Sequence, residues 1–142
     1  MSVRSKVPVV ARTLLGLAFL VFGANFFLHF LPEPAPPPEA GAFLGALVSG
    51  KILTIAKVIE VTAGVLLIGN RFVPLALTVL APVEIGILAF HGVFAPAGLP
   101  LPLILVALTA YLAWAYRAAF APMLRARVEP VGADPVAAHP AG

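Results

Sequence analysis

Four long apolar runs dominate the chain, and short polar or proline-rich segments separate them. The runs cover residues 9–31, 43–68, 72–91 and 101–120. Each is close to the roughly 20 residues that a helix needs to cross a hydrocarbon core of about 30 Å. Strands of a membrane barrel would be about 10 residues long and would alternate polar with apolar positions. The pattern therefore predicts an all-α protein, a bundle of four transmembrane helices.

The segments between the runs have the composition of loops and turns. Residues 32–39 are rich in proline, which lacks the N–H group that a helix interior requires, and they predict an extended connection. Gly69 and Asn70 predict a helix end followed by a tight turn, and residues 92–100 form the third break. Residues 126–142 are small and proline-rich, which predicts a disordered tail after a membrane domain within residues 1–125.

Composition supports lipid as the solvent for much of the surface. The chain is 61% apolar and only 11% charged, whereas soluble domains carry roughly a quarter charged residues. Its net charge of +3 does not indicate nucleic-acid binding, because the basic residues flank the apolar runs instead of forming one basic face. There is no cysteine, which excludes disulfides, thiolate metal sites and thiol redox chemistry within the chain.

The distribution of basic residues predicts the orientation in the membrane. The connections 32–42 and 92–99 contain no lysine or arginine. Basic residues are found instead near the start of the first run, between the second and third runs, and at or after the end of the fourth: Arg4, Lys6, Arg12, Arg71, Arg117, Arg125 and Arg127. Cytoplasmic loops are enriched in lysine and arginine. The N-terminus, the 69–72 turn and the C-terminal end with its tail are therefore predicted to lie in the cytoplasm.

Seven polar or ionisable residues lie within or at the edges of the apolar runs: Asn25, His29, Lys51, Lys57, Glu60, Glu84 and His91. An ionised side chain at the centre of a transmembrane helix costs about 2.5–3.5 kcal/mol. Two of the four charged groups are basic and two acidic, so they can neutralise one another. We therefore predict that the seven face the bundle interior and line one polar pocket that opens toward the outer side.

Glu84 is the candidate catalytic residue, as a proton acceptor deep in the third run. Pro82, two positions earlier, predicts a kink there. Structural interpretations remain open beside this one: Lys51 can reach the outer headgroups, Lys57 and Glu60 can form a structural pair, and the histidines can lie at the surface. A haem held by His29 and His91 is a weaker alternative with no supporting motif. The sequence contains no metal-binding motif, phosphate-binding loop or hydrolytic triad.

Three stretches resemble the DoxX family of small bacterial membrane proteins. Residues 11–23 (ARTLLGLAFLVFG) resemble the first-helix pattern of the family, and residues 60–67 (EVTAGVLL), followed by Asn70 and Arg71, resemble its second-helix motif. Residues 81–91 resemble the branch of the family with a proline-broken third helix. The resemblance covers residues 10–125 and implies a four-helix bundle in the bacterial inner membrane. Its motif positions here are Arg12, Glu60 and Arg71.

The resemblance also implies a function. DoxX-like proteins include subunits associated with thiosulfate:quinone oxidoreduction and membrane partners of soluble redox or detoxification proteins. The chain is therefore interpreted as a quinone-facing or anchoring subunit of a redox system; no cofactor is assigned, quinone is the candidate, and a soluble redox protein or a second copy is the candidate partner. In one departure from the family, Ala24 and Asn25 stand where many members have a lysine shortly after the first-helix glycine.

Two other classes of function remain open from the residues alone. Intramembrane lysine and glutamate also mark ion paths, which fits a small transporter or a proton-conducting bundle. The charges can equally fix the packing of a scaffold that performs no chemistry. Whether the chain takes part in catalysis, as a subunit of a membrane oxidoreductase, is left open by its sequence.

Overall fold

The computed structural model describes residues 2–132, which are helical throughout apart from their connections and contain no strand. This confirms the predicted all-α class. The α-helices in this range are α1 (Val3–Leu28), α2 (Pro38–Ser49), α3 (Ile52–Ile68), α4 (Val73–Phe94), α5 (Pro100–Ala115) and α6 (Arg117–Phe120), and two short 3-10 helices cover Pro96–Gly98 and Ala121–Leu124. Residues 126–132 form turns and irregular chain, and the rest of the predicted disordered tail, residues 133–142, lies outside the described residues.

Two helices are long and apolar enough to cross a membrane by themselves. These are α1 and α4. A third candidate consists of α5 together with Arg117–Leu124, although the chain bends by 76° between the two parts. The part of the chain that the structure describes therefore has two, or at most three, helices that meet the requirements of length and composition.

The second apolar run is divided, where one helix across residues 43–68 was predicted. The first part, α2, ends at Ser49, and α3 begins at Ile52 after Lys51, whose backbone is left-handed with φ 62°. Gly50 favours a break because glycine is the poorest helix former after proline. The helix α2 starts earlier than predicted, at Pro38, because a first-turn position needs no N–H from proline. The prediction of one continuous second helix was wrong.

The third and fourth runs also differ from the predicted spans. The third run forms one helix, α4, which continues without a break through Pro82. The kink expected at Pro82 stays a prediction. The fourth run was predicted as one helix over residues 101–120, but α5 ends at Ala115 and the chain changes direction at Tyr116. Periodicity does not reveal such a bend, because the residues on both sides of it are good helix formers.

The tightest helix contact joins α1 to α3, which run antiparallel. Gly16 faces Gly64 so closely that a Cβ atom on Gly64 would lie 2.7 Å from the Gly16 carbonyl oxygen. Small residues permit this approach of two backbones, which is the common basis of helix association in membranes. The pairing places the beginning of α1 beside the end of α3.

One apolar core lies among α1, α3, α4 and α5. Its largest fully buried side chains are Phe19, Leu15, Leu67, Leu80 and Leu112. The outer surfaces of the same helices are also apolar, and Leu14, Ile55, Ile85 and Ile104 are each more than half exposed. Apolar surface of this extent on every helix marks contact with lipid.

Candidate functional site

Lys57 and Glu60 form an ion pair on α3. The Lys57 Nζ atom lies 3.0 Å from Oε1 and 2.9 Å from Oε2 of Glu60. Residues three apart on a helix are neighbours, so the pair forms without help from another element. The Glu60 side chain is only 3% exposed, and it lies against Gly23 of α1, where an added Cβ atom would come within 3.2 Å of the Glu60 Cβ. The predicted pairing is confirmed, and the two charges neutralise each other beside α1.

Glu84 is hydrogen-bonded to α5. The Thr109 hydroxyl donates to Glu84 Oε1 at 2.6 Å, and Glu84 and Thr109 are 4% and 9% exposed. Within residues 2–132, no basic side chain pairs with Glu84. Sequence reasoning missed Thr109. The available signal was a single threonine in the middle of the largely apolar α5 sequence, since its hydroxyl group needs an acceptor inside lipid.

Asn25 holds the chain that leaves α1. Its Nδ2 donates to Glu33 Oε1 at 2.6 Å, and its Oδ1 accepts a hydrogen bond from the Leu31 backbone N–H at 2.7 Å. Asn25 is 3% exposed, so both bonds are made by a buried amide. Its neighbour on the same helix face, His29, caps α1 in a left-handed conformation and is exposed. Asn25 therefore stabilises the start of the proline-rich connection.

His91 lies near the end of α4 with its ring held in one orientation. Its Nδ1 lies 2.8 Å from the Ile87 carbonyl oxygen. Because a carbonyl can only accept, Nδ1 carries the proton in this contact. The ring packs against Gly98, where a Cβ atom would come within 2.7 Å of Cδ2, and edge-on against Phe90 at 5.2 Å between ring centroids. His91 therefore joins α4 to the connection before α5.

The polar residues that were predicted to share one pocket are not joined by a common hydrogen-bond network in the described part of the chain. Asn25, Lys57 with Glu60, Glu84 and His91 have separate local partners, and no hydrogen bond found among residues 2–132 links one of these groups to another. Lys51 is exposed at the break between α2 and α3. The shared pocket stays a prediction, whereas His29 and Lys51, which were predicted to face the bundle interior, are exposed instead. Depth along a helix can be counted from the sequence, but the rotation of each helix about its axis cannot.

Two surface grooves are lined by other residues. One, of about 300 Å³, lies between α1 and α3 and is almost entirely apolar. The other, of about 530 Å³, lies at the end of α5 beside Arg117. None of the seven predicted residues lines either groove: the first is lined by Ala24, Phe27, Leu28, Val58, Val61 and Thr62, and the second by Ala115, Arg117, Ala118, Ala121 and Leu124.

Arg12 connects the beginning of α1 to the end of α3. Its Nη1 donates to the carbonyl oxygens of Leu67 at 2.5 Å and Ile68 at 3.3 Å, and the residue is 6% exposed. The last carbonyls of a helix have no partner within the helix and carry partial negative charge, so a cation there is stabilising. The Nε atom of Arg12 is buried and has no hydrogen-bond partner within residues 2–132.

Of the three motif positions, two lie where α1 meets α3, and the third does not. Arg12 and Glu60 are buried at that contact, whereas Arg71 is exposed in the turn between α3 and α4.

Comparison with known proteins gave no match to a family model, a curated protein or a solved structure. The resemblance to the DoxX family therefore rests on the motifs of the chain itself.

Proposed function

We propose that the chain crosses the bacterial inner membrane four times, through α1, α3, α4 and α5, with both ends in the cytoplasm. The shared apolar core of these four helices and their apolar outer surfaces support this arrangement. Basic residues at the start of α1, in the α3–α4 turn and after α5 support the orientation. With 17 and 16 residues, α3 and α5 are about 25 Å long, which suits a bilayer that thins slightly around them.

Single cysteines test the topology, because the chain has none of its own. Ala35→Cys and Ala97→Cys should react with a membrane-impermeant maleimide added to intact cells. Ser2→Cys and Ala126→Cys should react only after the membrane is opened. All four positions are exposed, so labelling depends on the side of the membrane and not on burial. Equal labelling of Ala35→Cys and Ala126→Cys in intact cells would refute the four-pass arrangement.

In this membrane the chain serves as the anchoring subunit of a redox system of the DoxX type. The observation that carries this proposal is the local pairing of the polar groups inside the spans. Lys57 pairs with Glu60, and Glu84 accepts from Thr109, so these polar groups have partners within the bundle and stabilise it. A bundle of this kind supports function through its surfaces and ends, where a soluble redox partner would bind.

Deletion of the gene in its host tests the anchoring role. Without the anchor, one redox activity should move from the membrane fraction to the soluble fraction, while the total activity stays the same. The intact chain should return that activity to the membrane. So should a variant in which Lys57 and Glu60 are both replaced by methionine, because the pair acts structurally. If no redox activity changes fraction, the anchoring proposal is wrong.

A quinone contact at Glu84 is the second candidate function. The specific observation is a buried carboxyl group with one hydrogen bond, from Thr109, and no basic partner among the described residues. Such a carboxyl group can exchange a proton with a quinone oxygen that approaches from the lipid. The protein purified from its host membrane should then retain quinone, and Glu84→Gln should lower the amount. The control is Glu39→Gln, an exposed position at the start of α2. Equal quinone in all three preparations would exclude this role.

A further inference from the structure

The chain turns sharply where α5 ends. The axis of Arg117–Leu124 lies at 76° to that of α5. Tyr116 and Phe120 pack against the apolar core, so the turned segment is held on the end of the bundle. If α5 crosses the bilayer, a segment at this angle runs nearly parallel to the membrane surface. We refer to residues 114–128 as the C-terminal basic segment.

Large apolar side chains project from this segment into the surroundings. Trp114 is 61% exposed, Met123 67%, Leu124 84% and Val128 69%. Helices and short segments in the interfacial plane place such side chains at the boundary between headgroups and acyl chains. Tryptophan is itself enriched at this level of a membrane. The apolar exposure therefore fits a segment that rests on lipid.

The charge of the segment has one sign. Arg117, Arg125 and Arg127 are exposed, and no acidic residue occurs between Glu84 and Glu129. The Arg117 guanidinium carbon lies 4.8 Å from the centroid of the Trp114 ring, and Nη1 of Arg117 donates to the Trp114 carbonyl at 3.0 Å. These contacts hold a cation next to an interfacial aromatic ring. Arg117 is also the only charged residue that lines the groove of about 530 Å³ at this end.

We propose that the C-terminal basic segment binds the headgroups of anionic phospholipids in the leaflet beside it. The planar guanidinium group presents paired N–H donors that match the oxygens of a phosphodiester. The apolar side chains between the arginines enter the acyl region, which a soluble anion does not provide. This inference goes beyond the anchoring role and requires only that α5 crosses the membrane.

Trp114 provides a direct measurement because it is the only tryptophan in the chain. The full chain is reconstituted into lipid nanodiscs that contain either brominated phosphatidylglycerol or brominated phosphatidylcholine at the same mole fraction. Bromine quenches tryptophan on contact, so the ratio of the two quenching constants measures the preference of the segment for the anionic lipid. A ratio within one protein is unaffected by changes in the brightness of Trp114 between variants.

The arginines should account for the preference. Each basic residue near an anionic surface contributes about a fivefold preference, so the intact segment should favour phosphatidylglycerol by between about tenfold and about 100-fold at low salt. Replacing Arg117, Arg125 and Arg127 together by glutamine should bring the ratio close to one, whereas replacement by lysine should retain most of it. Added salt should lower the preference of the intact chain.

Matched single variants test whether the lipid preference comes from the segment or from the overall positive charge at this end of the protein. Arg117→Gln should lower the preference about fivefold. Arg71→Gln, an exposed arginine in the α3–α4 turn and outside the segment, should leave the preference within about twofold. Helix content from circular dichroism should match the intact chain for every variant that is compared.

Three results would overturn the proposal. The first is equal quenching of the intact chain by the two brominated lipids. The second is an unchanged preference in the triple glutamine variant with native helix content. The third concerns the source of the phosphate: if inorganic phosphate abolishes the preference and sodium chloride of the same ionic strength does not, the segment binds free phosphate instead of lipid.

Discussion

The contact between Gly16 and Gly64 gives the sharpest stability prediction. In Gly64→Ala the new Cβ atom would lie 2.7 Å from the Gly16 carbonyl oxygen and 2.8 Å from the Leu20 nitrogen, whereas ordinary contact begins at 3.4 Å. The atoms that are too close belong to backbone, so no side chain can rotate away. The helices α1 and α3 must then separate by about 0.7 Å, which is the amount by which 2.7 Å falls short of 3.4 Å.

The separation also weakens the Arg12 contact at the end of α3. A movement of that size would lengthen the bond to the Leu67 carbonyl from 2.5 Å to about 3.2 Å, and the bond to Ile68 from 3.3 Å to about 4.0 Å, beyond hydrogen-bond range. Overpacking costs about 1–3 kcal/mol, and a lost hydrogen bond in a membrane protein costs about 0.6–1.7 kcal/mol. The better helix propensity of alanine returns about 1 kcal/mol. Together these contributions predict that Gly64→Ala lowers the free energy of unfolding by between about 0.6 and about 3.7 kcal/mol.

Gly86→Ala is the matched control for this prediction. A Cβ atom on Gly86 meets no atom within 4 Å, so this variant should be unchanged or more stable by up to about 1 kcal/mol. Both variants are unfolded from mixed micelles with increasing sodium dodecyl sulfate, and circular dichroism and Trp114 fluorescence follow the transition. If Gly64→Ala is as stable as Gly86→Ala, the close approach of α1 and α3 is wrong.

Three further predictions concern the polar contacts. Glu60→Gln should lower the free energy of unfolding by up to about 3 kcal/mol, because it leaves the Lys57 charge unpaired. The variant with methionine at both positions should have a free energy of unfolding within about 1 kcal/mol of that of the intact chain. The same detergent titration measures both variants, and equal losses of stability would contradict a structural pair. Thr109→Val should cost about 0.6–1.7 kcal/mol, since it removes the hydroxyl that donates to Glu84. Asn25→Ala should speed proteolysis of the proline-rich connection in detergent without changing helix content, because the amide holds its first residues; an unchanged cleavage rate would refute that role.

Thr62→Val provides the control for Thr109→Val. Both replace a helical threonine by an isosteric side chain, but the Thr62 hydroxyl donates only to the Val58 carbonyl of its own helix and is exposed. Its loss should change stability by less than about 0.5 kcal/mol. If the two variants lose the same stability, the Glu84 contact contributes nothing beyond the removal of a hydroxyl group.

The features that sequence predicted correctly depend on local spacing or on composition. The helical class follows from apolar runs too long and too uniform for strands. Pairing of Lys57 with Glu60 follows from a separation of three residues on one helix, which brings two side chains together whatever the surroundings. Such statements need no knowledge of how one helix is rotated against another.

The features that sequence missed depend on partners that are distant along the chain. Asn25 and His29 share a helix face by spacing, but α1 ends at Leu28, so His29 turns outward while Asn25 binds the connection. Thr109 was overlooked because its role exists only where α5 faces Glu84. The break at Lys51 and the bend at Tyr116 were missed because each falls within a run whose composition alone suggests a continuous helix.

The polar contacts divide the bundle into two pairs of helices. Arg12 joins α1 to α3, and Thr109 joins α5 to α4. Among the described residues, no side-chain hydrogen bond joins a helix of the first pair to a helix of the second, so that interface is held by apolar packing alone. Sliding within a pair breaks a hydrogen bond that lipid cannot replace, whereas small sliding between pairs exchanges one apolar contact for another. Any relative movement of the four helices is therefore easiest between the pairs, about the short turn of residues 69–72 that connects α3 to α4.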